Sequence, residues 1–339
     1  LEALSSQAEE GELRQLNLII KADVQGSLEA VKHGPNDLKI SLLGDEIAIR
    51  KILGENYPDS IQVIHTEDVV TMEDKASTVL KTKPNSSMVR GIQMVKNNLA
   101  DGFISAGHTG AILSVSLLSL GRIPGVIRPA LAAYFPTEGR GKILCDVGAN
   151  PDAKPSHLAQ FALMASHYYD HVEGFPEPKI GLVNIGGESN KGSDLYVEAH
   201  SLLSKIPNFI GNVEGRQLLT SEADVLICDG FVGNTILKFS ESLFSFFTNE
   251  IHEQIQEKFS YKIGAMLMQP VFKSLRKRYD YEEHGGVPLL GVNGISIVCH
   301  GSSGSKSIMN SILLAKKCIE NNLIQDTQQS LSTDLKKND

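Results

Sequence analysis

The sequence predicts an α/β protein organised on a mostly parallel sheet with helices on both faces, and three observations carry that expectation. Short β-branched runs alternate with longer segments of helical period, the pattern of βαβ units. Ile180 to Ile185 has the short, β-branched composition of a strand buried on both faces, whereas Leu16 to Lys21 alternates. Six of the runs end in glycine accompanied by polar side chains, so a set of chemically rich turns sits at carboxyl strand ends. Open α/β sheets bind ligands in the crevice outside those ends.

The elements follow in order. Residues 1–15 are polar, Glu-rich and helical in period; Leu16 to Lys21 is a strand ending in Ala22-Asp23-Val24-Gln25-Gly26, and Ser27 caps a short helix. His33-Gly34-Pro35-Asn36-Asp37 clusters breakers and marks a junction. Leu38 to Leu43 and Ser60 to His65 are strands flanking the helical Glu46 to Leu53. Helical period returns at Ser87 to Asn97; Gly102 to Ser105 is a strand whose glycine loop opens the helix Ala111 to Leu120. Lys142 to Val147 is the next strand, and Pro155 starts the helix Ser156 to Tyr169, since proline suits a first helical turn. Ile180 to Ile185 runs through Gly186 and Gly187 into Glu188, Asn190, Lys191, Gly192 and Ser193, and the helix Asp194 to Leu203 presents an anion-favouring start. Phe209 to Val213, Ala223 to Cys228 and Ile295 to Cys299 complete the strands, the second preceding the helix that carries Lys238. The last helix read from period is Ile308 to Asn321, and the polar residues from Gln325 onward read as a disordered tail. The organisation expected is an atypical head over 1–36, a main domain over 37–325 and the tail over 326–339.

Composition bounds the function. A net charge of −8 and a pI near 5.7 disfavour nucleic-acid binding by bulk electrostatics. Cys145, Cys228, Cys299 and Cys318 have no C-x-x-C spacing and read as reduced core residues. The longest apolar helical candidate, Ala111 to Leu120, is short and broken by three serines, so the expectation is a cytoplasmic protein without a signal peptide or spanning helix. No G-x-G-x-x-G follows the first strand, no Gly-x-Ser-x-Gly elbow occurs, and no histidine or cysteine pair reads as a zinc site; neither a metal nor a covalent serine is expected. Gly301 to Ser307 reads as an anion loop whose glycine spacing differs from an ATPase signature. Asp146 and Asp229 at strand ends fit helix caps as well as site groups, and His108 and His300 fit satisfied loop histidines as well as ligands.

Six motifs carry a resemblance. Ser105 to Ala111 (SAGHTGA), Asp146 to Asn150 (DVGAN), Asn184 to Gly192 (NIGGESNKG), Gly211 to Arg216 (GNVEGR), Asp229 to Asn234 (DGFVGN) and His300 to Ser303 (HGSS) resemble, in order, the bacterial phosphate acyltransferase family of phospholipid synthesis. The likeness runs from about Leu38 to Ile324. It implies a Rossmann-like, isocitrate/isopropylmalate-dehydrogenase-like fold and a homodimer with no metal or nucleotide cofactor. It also implies transfer of an acyl group from acyl carrier protein to inorganic phosphate, giving acyl phosphate for a glycerol-3-phosphate acyltransferase. On that reading Lys191, Ser105, Thr109 and Ser302 hold phosphate, aided by backbone N–H groups at Gly107, Gly110, Gly186, Gly192, Gly230 and Gly233. Asn184, Asn212 and Asn234 donate to the oxyanion; His300 or Lys238 protonates the departing thiolate; Asp146, Asn150, Glu188, Glu214 and Asp229 orient the others.

Two regions stand apart. Leu16 to Ala30 resembles a segment of bacterial translation initiation factor two, whereas the family begins with a strand and an Asp-Ala-Met-Gly-Gly-Asp loop. The expectation is that this head docks as the first βα unit, with Asp23 and Gly26 standing in for the loop, and that activity is reduced; the alternative is a catalytically impaired scaffold binding acyl carrier protein or a membrane acyltransferase. A dehydrogenase on the same fold would require a nicotinamide cofactor. Helical Phe244 to Phe259 and the apolar Tyr261 to Phe272, followed by Lys273, Arg276, Lys277 and Arg278, suit a dimer interface, a peripheral membrane contact or a docking site for an acidic carrier.

Overall fold

Following the backbone from strand to strand gives one eleven-stranded sheet among the described residues of this computed structural model, which are 16–21, 37–137, 140–279 and 283–337. The strands are β1 (Leu16–Lys21), β2 (Leu38–Gly44), β3 (Ile61–His65), β4 (Gly102–Ser105), β5 (Ala130–Phe135), β6 (Lys142–Cys145), β7 (Ile180–Asn184), β8 (Phe209–Glu214), β9 (Val225–Ile227), β10 (Val287–Leu290) and β11 (Ile295–Val298). Their order is β3-β2-β1-β4-β11-β10-β5-β6-β9-β7-β8. The head's strand β1 pairs in parallel with both β2 and β4; Asp23, Gly26 and the rest of 22–36 lie outside the described residues.

Successive strand residues point to opposite faces, and each face has its own core. Leu18, Ile20, Ile104, Ile143, Leu182 and Ile297 belong to one, whereas Ile19, Phe103, Leu144, Val183, Leu226 and Val298 belong to the other. Helices cover both: α1 (Glu46–Leu53), α2 (Val79–Thr82), α3 (Ser87–Lys96), α4 (Thr109–Leu120), α5 (Pro155–His171), α6 (Asp194–Leu203), α7 (Gly230–Glu257), α8 (Phe259–Leu267), α9 (Gln269–Tyr279), α10 (Ser305–Glu320) and α11 (Leu323–Lys337).

The central pairings are antiparallel and were not legible in the sequence. β10 runs against both β11 and β5, and β5 against β6, so the parallel groups on either side run in opposite directions. In a flat, aligned sheet that would put their carboxyl ends at opposite edges. The register prevents it. Val298 pairs with Val287 and with Ser105; Leu289 then pairs with Leu131, and Ala132 faces Cys145, the last residue of β6. Tracing these partners brings the ends of β4, β11 and β6 within one residue of the same level, about 3.3 Å along the strand direction. The turns that follow those strands therefore meet over the middle of the sheet.

Two further elements correct the sequence reading. Residues 325–337 are helical: Leu323, Thr327 and Leu331, spaced by four, are buried along one face of α11. Gln325, Gln328 and Gln329, part of the polar composition that suggested a disordered tail, are exposed. The segments read as separate helices around Lys238 and Phe244 form the single 28-residue α7.

Candidate active site

A cleft of about 130 Å³ opens where the two groups of carboxyl ends meet. Its floor is apolar, from Leu131, Ala133, Val147, Val287 and Val298, and its polar lining comes from Thr109, Asn234, Lys238, Glu241, His284, His300, Ser303 and Ser307. Thr109 is the first residue of α4, Asn234 and Lys238 lie in the first turns of α7, and Ser303 and Ser307 flank the start of α10. Two helix N-termini, those of α4 and α10, thus open on the cleft with backbone N–H groups and the positive end of a helix dipole, whereas α7 contributes the side chains of Asn234 and Lys238, the N–H groups of its own first turn being taken by Asp229 and the Asn150 carbonyl.

His300 follows β11 and is held by its own loop. The Ser302 N–H donates to His300 Nδ1 at 3.2 Å, with the Ser302 hydroxyl 2.6 Å from the same nitrogen. An accepting Nδ1 puts the proton of the neutral ring on Nε2. The Lys238 ammonium carries Glu241 at 3.2 Å, an exposed pairing one helical turn along. His284 stacks on Tyr134 with ring centroids 3.8 Å apart, and Ser105 at the end of β4 is buried with no hydrogen-bond partner for its hydroxyl among the described residues. Gly107 and Gly110 belong to the turn into α4, whose N-cap is His108, accepting from the Ala111 N–H.

The Asp146–Asn150 turn buttresses the cleft. Asp146 is fully buried; Oδ1 accepts from the N–H groups of Leu131 and Ala149 at 3.0 and 3.1 Å, and Oδ2 accepts from the N–H and Nδ2 of Asn150 at 2.6 and 2.9 Å. Burial raises its pKa above the ordinary carboxylate value, while those donors pull it down. Asn150 also donates to the Pro129 carbonyl. Expected as orienters of substrate, Asp146 and Asn150 instead tie β5, β6 and their connecting turn together. α7 starts directly against this turn: a Cβ on Gly233 would stand 1.9 Å from the Asp146 carbonyl oxygen, and one on Gly230 would stand 2.8 Å from the Asn150 nitrogen. Asp229 caps α7, accepting from the Phe231 and Val232 N–H groups, and takes a 2.5 Å hydrogen bond from the Tyr196 hydroxyl. Burial and the adjacent carboxylate raise the pKa of that phenol, so it stays a donor.

The residues expected to hold phosphate on the 184–192 loop form a separate cluster. β7 lies five strand positions from β11, and no residue of that loop lines the cleft. Asn184 donates from Nδ2 to the Lys191 carbonyl and accepts from the Ile185 N–H, and Asn212 donates to the Glu188 carbonyl. Both amides hold the loop. Gly192 sits at φ +94°, where a Cβ would press to 2.6 Å from Asn184 Oδ1. The Lys191 ammonium is half exposed, 4.0 Å from Glu188; Glu214 pairs with Arg216 at 3.1 Å; a Cβ on Gly186 would touch Lys191 and Glu188. Sequence reasoning missed Glu241, His284 and Tyr134: only the i,i+3 spacing of Glu241 from Lys238 gave any signal.

Away from the cleft, α7, α8 and α9 form an apolar arm. Leu243, Phe247, Ile251, Phe272 and Leu275 line a groove of about 530 Å³, and Phe259, Met266 and Leu267 are at least two-thirds exposed. Arg276, Lys277 and Arg278 occupy the last turn of α9. No helix among the described residues is long and apolar enough to cross a membrane.

A family model described as fatty acid synthesis protein matches residues 20–326. A phosphate acyltransferase of Desulfitobacterium hafniense is 43% identical over 311 residues, covering 91% of this chain and 92% of its own. This chain belongs to the phosphate acyltransferase family. Another member, from Synechocystis sp., is 44% identical over 291 residues, covering 84% of this chain and 83% of its own. Among solved structures, a phosphotransacetylase from Streptococcus pyogenes superposes with a TM-score of 0.61 at 16% identity, covering 94% and 99% of the two chains. A 4-hydroxythreonine-4-phosphate dehydrogenase from Klebsiella pneumoniae does so with a TM-score of 0.52 at 11% identity, covering 90% and 98%. At those identities the likeness is one of fold, and it extends the α/β architecture of this phosphate acyltransferase family to both.

Proposed function

We propose that this chain moves a fatty acyl group from acyl carrier protein to inorganic phosphate, giving acyl phosphate for phospholipid synthesis, with the chemistry in the cleft over the middle of the sheet. Family membership supports the reaction. The observation that carries the site is the meeting of the α4 and α10 N-termini with His300, Asn234 and Lys238 around one cleft.

Phosphate is held by α4 and α10 N–H groups, Thr109, Ser303 and the Lys238 charge. One of its oxygens attacks the thioester carbonyl; a C–O bond forms and the carbonyl becomes a tetrahedral oxyanion that the Asn234 side-chain amide stabilises. The oxyanion collapses, the C–S bond breaks, and the thiolate takes the Nε2 proton of a doubly protonated His300, which recovers a proton from the hydrogen phosphate that has become acyl phosphate. The arm supplies partner surfaces: its apolar groove receives a second copy of the chain, its exposed tip rests on the cytoplasmic face of a membrane near the glycerol-3-phosphate acyltransferase, and the basic turn of α9 receives the acidic carrier.

The test is turnover of long-chain acyl carrier protein with phosphate, trapping acyl phosphate with hydroxylamine. Phosphate-dependent product is the expected result. A well-folded chain that yields none, yet retains carrier binding, would replace this reading with a scaffold whose altered head removed activity. Light scattering after size exclusion checks the homodimer; a monomer unaffected by Phe247→Asp would refute the groove's assignment.

A further inference from the structure

On the side of the molecule formed by α5 and α11, three side chains converge that the acyl-transfer reading does not use. His167 and His171 stand one turn apart on α5, with ring centroids 4.0 Å apart, and Asp326 reaches them from the first turn of α11. One ligand-capable atom from each lies within 4.8 Å of the other two. The H-x-x-x-H spacing escapes the sequence reading, which expects no zinc site; on a helix it places both rings on one face.

We propose that His167, His171 and Asp326 form a site for a divalent transition-metal ion of the zinc type, clipping α11 to α5. Two imidazoles and a carboxylate are a donor set that zinc accepts, leaving a fourth position for water. Three features of the surroundings favour it. His167 Nε2 is buried and makes no hydrogen bond among the described residues, a polar nitrogen whose burial a metal bond would compensate. His171 Nδ1 lies 3.3 Å from the His167 carbonyl, and donation there leaves the Nε2 lone pair directed outward, as a backbone carbonyl behind a ligand histidine does. His171 is exposed and Asp326 half-buried, so both rotate to draw the set from 4.8 Å to the roughly 3.3 Å between neighbouring ligand atoms around zinc. α11 itself is held by a short buried stripe, Leu323, Thr327 and Leu331, and the clip lies beside the middle of it.

The experiment uses the untagged full chain stripped with chelator and titrated with zinc sulfate, read by competition with a chromogenic chelator and by thermal unfolding. Expected are one zinc per chain, ligand-field bands of a tetrahedral or five-coordinate centre on Co²⁺ substitution, and a melting temperature raised by about 3–5 °C at 100-fold excess over Kd. His171→Ala and Asp326→Asn alter surface-accessible groups, so both fold; each weakens zinc binding at least tenfold and together they abolish the thermal shift. Absence of saturable one-to-one binding by the parent chain, or equal affinity in the double variant, overturns the proposal.

Discussion

Replacing Asp146 by Asn tests whether the buttress under the cleft works as an ionised acceptor. The change is isosteric, but one carboxylate oxygen becomes an NH₂ group. Whichever it is, two donors lose their acceptor: the N–H groups of Leu131 and Ala149 on one side, or the N–H and Nδ2 of Asn150 on the other. Hydrogen bonds to a charged group contribute roughly 1.5–3 kcal/mol each, so two lost bonds amount to about 3–6 kcal/mol. Removing a charge that burial disfavours returns part of this. A net loss of about 2–4 kcal/mol follows, which in a chain of this size lowers the melting temperature by about 3–6 °C. Thermal unfolding by circular dichroism reads it. Because α7 starts in contact with the Asp146 carbonyl at Gly233, turnover measured well below the melt should also fall as Asn234 and Lys238 shift. An Asp146→Asn variant that melts at or above the parent temperature would refute the reasoning, since it would mean that the acid is protonated and its desolvation outweighs its four donors.

Three further outcomes follow from the geometry. Lys238→Met should raise the phosphate KM about 10–100-fold, more than Lys191→Met does, because Lys238 lines the cleft and Lys191 does not; the reverse ranking in steady-state kinetics would move the phosphate site to the 184–192 loop. His300→Gln should lower kcat by about 10²–10⁴ with the melting temperature little changed, and a carrier with a better thiol leaving group should recover part of the loss; no change in kcat removes His300 as the acid. The Lys83 ammonium beside Asp74, together with the Thr71 amide, draws that carboxyl from 3.8 down to about 2. Its folded value lies below its unfolded one, so its contribution is present above pH 3.8 and is lost as pH falls toward 2. Asp74→Asn should therefore flatten the fall of melting temperature across that window, and parallel curves for the two chains would contradict the pairing.

The parallel strands were legible because their signal is local. β1 and β2 are leucine- and isoleucine-rich and β4, β7 and β11 carry Ile, Val or Phe, and each is followed within a few residues by glycine. β5 and β10 were not. Ala130–Phe135 is alanine-rich and Val287–Leu290 contains Pro288, so neither carries strand propensity, and both owe their state to pairing with neighbours on each side. Which motifs would share a cleft depends on those two strands, because they set direction and register. Sequence could name Thr109, Asn234, Lys238 and His300 as polar groups at strand ends, but pooled them with Asn184, Lys191 and Asn212, whose distance across the sheet is a long-range property. For the same reason His284 was invisible: nothing nearby in sequence announces its stack on Tyr134.

The antiparallel seam also explains why the cleft has the composition it does. A uniformly parallel sheet offers helix N-termini on one edge, side by side and directed the same way. Here two parallel groups of opposite direction are offset until their carboxyl ends share a level, so α4 and α10 approach from one group while α7 approaches from the other. A dianionic nucleophile and a thioester that must meet in line need donors on both sides of the reacting carbon, which a single row of helix ends supplies poorly. The cleft is consequently a property of the register between Val298 and Cys145. A one-residue slip at β10 would change side-chain facing and displace the two sets of donors by about 3.3 Å, more than a near-attack geometry tolerates.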